Sequence, residues 1–125
     1  MSGSRYFLDT NAIIALLKGN RCIETELSGA EWIGTSVVCV IEFLSFPHLS
    51  KHDQTLFSAL LKRIKVLEIK NDIANLFIIS DFKKQNRLKL PDAVIAFYSR
   101  HSDATLISND KHFEKITSIS TLKFG

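Results

Sequence analysis

The chain has 125 residues, of which 46% are hydrophobic and 23% are charged, with a net charge of +3. This length and composition are typical of one globular domain, and no stretch reaches the roughly 18 apolar residues of a membrane span. Two cysteines, Cys22 and Cys39, indicate neither a zinc site nor a disulfide framework. We therefore expect a single soluble domain over residues 1–125, located in the cytoplasm and without a signal peptide.

The first half of the chain alternates between strand and helix patterns. Arg5–Leu8 is a short apolar run, and the capping residues at positions 9–11 follow it directly. Apolar residues then recur at helical spacing as far as Gly19. A second strand is predicted at Trp32–Ser36, and the very apolar residues 37–46 predict a helix that ends before proline.

The second half continues this alternation. Residues from about 53 to 64 carry apolar side chains at the spacing of an amphipathic helix, and residues 66–69 resemble a third strand. A long helix is predicted after Asp72, and another from about Pro91 to Arg100. Strands are predicted at residues 104–108 and 121–124. This order predicts an α/β fold, a parallel sheet with helices on both faces.

Four acids stand out because of their places in this pattern. Asp9 follows the first strand, Glu42 lies in the second helix, Asp92 lies in a first helical turn, and Asp110 follows the fourth strand. The carboxyl ends of parallel strands share one edge, where ligands bind, so we expect the four acids to meet there. Each acid also has an ordinary explanation, because three of them could simply cap a helix or a turn. Glu42 could instead pair with one basic residue or reach solvent.

Four carboxylates that meet repel one another, which raises their pKa values unless a cation neutralises them. Oxygen donors suit Mg²⁺ or Mn²⁺. Glu42 supports this interpretation, because its neighbours are apolar or small and a desolvated carboxylate there would need a partner. The sequence therefore predicts a site for Mg²⁺ (or Mn²⁺) at one edge of the sheet.

The acids also occur within recognisable motifs. These are Phe-Leu-Asp-Thr-Asn at the first strand, the apolar helix with Glu42, Lys-Leu-Pro-Asp-Ala-Val-Ile-Ala around Asp92, and Leu-Ile-Ser-Asn-Asp-Lys-His-Phe around Asp110. In this order they resemble the motifs of PIN domains over essentially the whole chain. Leu-Pro-Asp-Ala together with Asp-x-x-Phe resembles the VapC-type toxin ribonucleases in particular.

The resemblance implies a PIN-like nuclease domain with a central sheet of five parallel strands. It implies a metal-dependent endoribonuclease, the toxin of a type II VapBC toxin–antitoxin pair. Because divalent metals supply a nucleophile from water and neutralise phosphate charge, we expect metal-activated water to cleave RNA and leave a 5′-phosphate. Its implied partners are RNA, a cognate VapB-type antitoxin and a second copy in a homodimer. The implied catalytic and metal-binding residues are Asp9, Glu42, Asp92 and Asp110. The implied supporting residues are Thr10, Asn11 and Ser108.

A basic segment precedes Asp92. Residues 62–89 hold eight Lys or Arg and three acids, a charge that favours a polyanion. Lys84, Arg87 and Lys89 are therefore candidates for RNA contacts, although ordinary cations at a helix end would look the same. The four histidines are expected on the surface without a catalytic role. They are His48, His52, His101 and His112.

Two other functions fit parts of the pattern. A receiver-like signalling module also binds Mg²⁺ beside an aspartate at a strand end, but such modules place paired acids after the first strand, and Glu42 has no counterpart there. A non-catalytic PIN-like adaptor would bind RNA or protein and would be expected to have lost an acid. A haloacid-dehalogenase-type phosphatase is excluded, because it requires Asp where Asn11 stands.

Overall fold

A five-stranded, entirely parallel sheet forms the centre of the computed structural model, which describes residues 3–125. The strands are β1 (Arg5–Leu8), β2 (Trp32–Ser36), β3 (Lys65–Leu67), β4 (Thr105–Ile107) and β5 (Thr121–Leu122). Their order in the sheet is β3-β2-β1-β4-β5. The predicted α/β class and parallel sheet are confirmed, and β1 and β2 have the predicted bounds, whereas the other three strands are shorter than predicted.

Seven helices connect the strands within residues 3–125. They are α1 (Thr10–Leu17), α2 (Arg21–Leu27), α3 (Val37–Leu44), α4 (Lys51–Leu61), α5 (Ile73–Gln85), α6 (Leu90–His101) and α7 (Lys111–Glu114). Five of these were predicted, whereas α2 and α7 were not. None of the helices in this part of the chain has both the length and the apolar character that crossing a membrane requires.

Local capping chemistry explains where several helices begin and end. Gly19, with φ +86°, ends α1 in a left-handed conformation that favours glycine. Asn20 then caps α2 by accepting a hydrogen bond from the backbone of Ile23. Ser50 caps α4, and it forms a reciprocal capping box with Asp53. The predicted start of α4 was therefore about two residues late.

The strand order places a topological switch point between β1 and β4. The chain proceeds outward from β1 through β2 to β3, and then returns to the other side of β1 to form β4 and β5. Ligands bind at such switch points in open α/β sheets. Receiver-like domains have the order 2-1-3-4-5, so this sheet does not match that alternative.

The hydrophobic core lies around β1 and α6. Phe7 and Leu8 of β1 are fully buried, and so are seven consecutive residues of α6, from 93 to 99. Because α6 packs against α5, α3, β2 and β4, its position is fixed from several sides. Its first turn, which carries Asp92, is therefore held firmly at one edge of the sheet.

Candidate metal centre

The two acids that follow strands lie beside the switch point. Asp9 is the residue after β1, and Asp110 lies three positions beyond β4. β1 and β4 are paired, with Leu8 opposite Ile107. Asp9 and Asp110 therefore follow adjacent strands at the same edge of the sheet.

Most of the predicted site residues line one pocket of about 470 Å³. Six predicted residues line it: Asp9, Thr10, Asn11, Glu42, Asp92 and Asp110. Apolar side chains, including the buried Ile95 and Phe113, complete the wall. The four acids come from the end of β1, from α3, from α6 and from the loop after β4, and the predicted convergence is observed.

Asp9 is the most buried acid of the pocket, with 5% of its surface exposed. It caps α1, because its Oδ1 accepts a hydrogen bond of 2.7 Å from the backbone nitrogen of Ala12. Burial raises its pKa, and so do the charges of Asp110 and Asp92, whereas the Ser108 hydroxyl and the Ala12 amide offset part of this shift. Asp9 therefore has both the capping role and the place in the pocket that its sequence position suggested.

Asp92 lies in the first turn of α6 and is half-buried. Burial is the largest cause of its raised pKa, followed by the negative charges of Asp110 and Glu42. His112 and Lys89 lower that pKa in part. The charges of Asp92, Asp110 and Glu42 therefore each raise the pKa of at least one other acid of the pocket, as expected for acids that lie close together.

Glu42 is exposed on α3, whereas Cys39 and Phe43 of the same helix are buried. The expectation of a desolvated glutamate is wrong, because the apolar segment folds as a helix that turns this residue towards the pocket rim. The Thr10 hydroxyl donates a hydrogen bond of 2.8 Å to Glu42 Oε1. This bond links α1 to α3 across the rim and orients the carboxylate.

Asp110 is held by three groups from its own segment. Its backbone nitrogen donates to Ser108 Oγ at 3.0 Å. Its Oδ1 accepts from the backbone nitrogen of His112 at 2.9 Å and lies 2.8 Å from His112 Nδ1. Ser108 is buried and forms hydrogen bonds with both Asp9 and Asp110, and its supporting role stays a prediction.

His112 is the site residue that sequence reasoning missed. Its exposure on the surface was predicted correctly. The prediction that it has no catalytic role did not anticipate its contact with Asp110. The only sequence signal was its position two residues after Asp110, at the start of a four-residue helix. Such a helix is too short to show a periodic pattern, so the contact is visible only in the structure.

The donor set of the pocket fits a divalent cation. Asp92, Asp110 and His112 each place one possible ligand atom within 4.8 Å of the others. Asp9, buried and with a raised pKa, is close enough for both aspartates to affect it. Uncompensated negative charge of this kind is stabilised by a cation with oxygen ligands.

The three predicted RNA-contacting cations differ in their relation to the pocket. Lys89 occupies the N-cap position of α6 without a side-chain capping hydrogen bond, and its charge lowers the pKa of Asp92, three residues further on. Lys84 lies 4.0 Å from Asp81, and Arg87 has a left-handed backbone with φ 52°. Among the described residues, none of the three lines the pocket itself, and only Lys89 is linked to it electrostatically.

Comparison with known proteins identifies similar families and folds. Residues 6–118 match the family model described as PIN domain. The search among curated protein sequences gives no match. VapBC2 from Rickettsia felis, solved bound to a DNA fragment from its promoter, has a TM-score of 0.81 at 18% identity, over 97% of this chain and 99% of that chain.

Two further solved structures share the fold. A toxin–antitoxin complex from Klebsiella pneumoniae has a TM-score of 0.76 at 24% identity, over 93% of this chain and 96% of that chain. VapBC-1 from nontypeable Haemophilus influenzae has a TM-score of 0.76 at 22% identity, over 95% and 97% of the two chains. At such identities the likeness shows a common fold.

Proposed function

Because the chain belongs to the PIN domain family, we propose that it is a metal-dependent endoribonuclease, the toxin of a type II VapBC toxin–antitoxin pair. The observation that carries this proposal is the convergence of four carboxylates, from four separate segments, in one pocket at the switch point of the sheet. Asp9, Glu42, Asp92 and Asp110 are the proposed catalytic residues. They would hold Mg²⁺ or Mn²⁺.

A divalent cation bound there supplies two things that phosphodiester cleavage needs, neutralisation of charge on the phosphate and water made nucleophilic near neutral pH. The protein's part is to keep the acids in place. Thr10 orients Glu42 through the 2.8 Å hydrogen bond, and Ser108 lies between the two acids that follow strands. We assign a substrate contact to Asn11, which is exposed at the pocket wall.

Water is the proposed nucleophile rather than the ribose 2′-hydroxyl. In-line displacement by water breaks the bond between phosphorus and the 3′-oxygen, so the products carry a 3′-hydroxyl and a 5′-phosphate. No side chain needs to act as a nucleophile in this scheme. The product ends therefore distinguish it from cleavage that produces a 2′,3′-cyclic phosphate.

Charge outside the pocket supports an RNA substrate. The chain has 16 Lys and Arg against 13 acids, and four of those acids are the proposed ligands. The remaining surface is therefore strongly positive and attracts a polyanion. Lys89 is the best placed cation, because it lies three residues before Asp92, and Lys84 and Arg87 extend the basic surface along the same segment.

An apolar groove supports the antitoxin partner. It has a volume of about 350 Å³ and is lined by Ile14, Leu17, Phe43, Phe46 and Leu49, among others. Phe46, 41% exposed, lines this groove and also the acidic pocket. A VapB-type chain in the groove would therefore reach the carboxylates and block access to them.

A second exposed apolar surface supports a homodimer. Ile73 and Phe77 are one helical turn apart on α5 and are 69% and 67% exposed. Among the described residues that line the acidic pocket, none belongs to α5. We therefore assign this surface to a second copy of the chain, since two-fold pairing through it leaves the pocket accessible.

RNA cleavage with three proteins tests this proposal. Wild type, Asp92→Asn and Asp72→Asn are incubated with total RNA and Mg²⁺ or Mn²⁺, with and without chelator, and the new ends are mapped. Asp72 is a matched control, because it caps α5 outside the pocket. We expect cleavage that leaves 5′-phosphates, is abolished by chelator or Asp92→Asn, and is unchanged by Asp72→Asn.

Two results would overturn the proposal. One is cleavage that persists both in chelator and in Asp92→Asn. The other is RNA binding without cleavage by the metal-loaded wild type, which is the behaviour of a non-catalytic adaptor.

A further inference from the structure

His112 lies where a metal ligand would lie, although its ring is more than half exposed. Its Nδ1 is 2.8 Å from Asp110 Oδ1, and its backbone nitrogen donates to the same oxygen. One of its ring nitrogens also lies within 4.8 Å of a carboxylate oxygen of Asp92. Within residues 3–125, no other three His, Cys, Asp or Glu side chains come together in this way.

We propose that His112 adds a nitrogen donor to the cation site of Asp92 and Asp110, and that it makes this site select a first-row transition cation such as Mn²⁺ over Mg²⁺. This inference deepens the proposed function and rests on it. It concerns the identity of the cation, whereas the four acids alone would serve either ion.

The spacing of the donor atoms supports ligation. Adjacent donors on an octahedral cation with bonds of about 2.1 Å lie about 3 Å apart. The separation of 2.8 Å between His112 Nδ1 and Asp110 Oδ1 is close to that value. A cation with bonds of about 2.1 Å to both atoms would lie off the line that joins them, so ligation requires the His112 ring to turn until its Nδ1 lone pair points at the cation.

The chemistry of the donor supports selectivity. Mg²⁺ takes oxygen ligands and keeps several waters, so it gains little from an imidazole in place of a water. First-row transition cations accept nitrogen ligands, with affinity that increases from Mn²⁺ along the series to Cu²⁺. A site of two carboxylates and one imidazole is therefore expected to discriminate against Mg²⁺.

A purely structural role predicts something different. If His112 only orients Asp110 through the hydrogen bond, its loss would weaken the binding of Mn²⁺ and Mg²⁺ by the same factor. If it donates its lone pair, its loss would weaken Mn²⁺ binding far more. The ratio of the two affinities is the readout that separates the two roles, and it does not depend on catalysis.

The test measures the binding of Mn²⁺ alone and Mg²⁺ alone by calorimetry, without RNA, for wild type, His112→Gln, Asp92→Asn and His52→Gln. His52→Gln is the matched control, because His52 is an exposed histidine on α4. Electron spin-echo spectroscopy of bound Mn²⁺ then reports whether a ¹⁴N nucleus of histidine is coordinated.

We expect His112→Gln to weaken Mn²⁺ binding by about 10- to 100-fold, in the range measured for groups that tune metal sites, and Mg²⁺ binding by less than about 3-fold. The ¹⁴N signal should be present in wild type and His52→Gln and absent in His112→Gln. Equal losses for both cations, or no ¹⁴N signal in wild type, would overturn the assignment of His112.

Asp92→Asn separates this inference from the proposed function. If Asp92→Asn loses both cations while His112→Gln affects them equally, only the role of His112 fails. If neither substitution changes the binding of either cation, the metal site itself is wrong and the proposed function fails with it.

Discussion

Asp9→Asn is predicted to stabilise the protein in chelator and to remove most of the stabilisation that Mn²⁺ provides. Asp9 is 5% exposed, and burial and the charges of Asp110 and Asp92 raise its pKa. The folded chain therefore holds this proton to a higher pH than the unfolded chain, and metal-free stability falls as pH rises through the raised pKa. At a pH above the raised pKa the buried carboxylate is ionised and that cost is fully present, so replacing Asp9 by Asn removes it.

The substitution leaves the local fold intact. Asp9 Oδ1 caps α1 through Ala12, and Asn caps helices about as well as Asp. An Asn side chain keeps this acceptor oxygen, so the cap survives while the charge is lost. Asp9→Ala, in contrast, would lose the cap as well and cost roughly 1 kcal/mol.

The size of the metal effect follows from linkage. Mn²⁺ at 100 times its Kd stabilises wild type by about 2.7 kcal/mol. If losing a charged ligand weakens binding roughly 100-fold, the top of the range for metal-site variants, the variant gains only about 0.4 kcal/mol. The difference of about 2.3 kcal/mol corresponds to roughly 10 °C in Tm for a domain of this size.

Thermal unfolding followed by circular dichroism measures both effects, the gain in stability in chelator and the loss of stabilisation by Mn²⁺. Wild type, Asp9→Asn and Asp72→Asn are compared in chelator and in Mn²⁺. Asp72 caps α5 through Asn75 and is exposed, so Asp72→Asn should respond to Mn²⁺ as wild type does. If Asp9→Asn is less stable than wild type in chelator, or is stabilised equally by Mn²⁺, the reasoning is refuted.

Four further predictions address the rest of the account. Mn²⁺ affinity should fall as the pH is lowered, and the fall should begin at a higher pH than for carboxylates with ordinary pKa values, because protons compete for Asp9 and Asp92, whose pKa values are raised. Calorimetry at a series of acidic pH values that gives a constant Kd would contradict this prediction. Thr10→Val, which removes the donor to Glu42, should slow RNA cleavage by about 10-fold in a single-turnover assay, and an unchanged rate would mean that the hydrogen bond does not position the acid. Lys89→Gln should weaken RNA binding and reduce the slope of log affinity against log salt by about 0.7; a salt titration with an unchanged slope would exclude a phosphate contact. Phe77→Asp should convert a dimer to a monomer in sedimentation, and a wild type that is already monomeric would remove the dimer proposal.

Much of the fold could be predicted from the sequence because its signals are local. β1 and β2 are apolar runs that end at good capping residues, so their bounds were predicted correctly. The bounds of β3 and β5 were not predicted correctly, because these short strands lie at the edges of the sheet and each pairs with a neighbour on one side only. The helix α2 was missed because only Ile23 of its seven residues is buried, which leaves no periodic pattern to detect.

The candidate site was predictable to the extent that topology determines it. The handedness of strand connections brings residues after β1 and β4 to one edge, so the meeting of Asp9 and Asp110 followed from chain order. The orientation of α3 could not be predicted in this way, because its composition is apolar almost throughout. Only the packing of Cys39 and Phe43 in the folded protein turns Glu42 outward. The contact between His112 and Asp110 depends on the cap of a four-residue helix, which composition cannot reveal.

The most direct test of the central claim is a crystal structure of the protein soaked in Mn²⁺, with anomalous diffraction measured near the manganese edge. We expect an anomalous peak in the acidic pocket, within about 2.3 Å of carboxylate oxygens from at least two of Asp9, Asp92 and Asp110. A pocket that shows no peak at millimolar Mn²⁺, in crystals where those carboxylates are accessible, would contradict it.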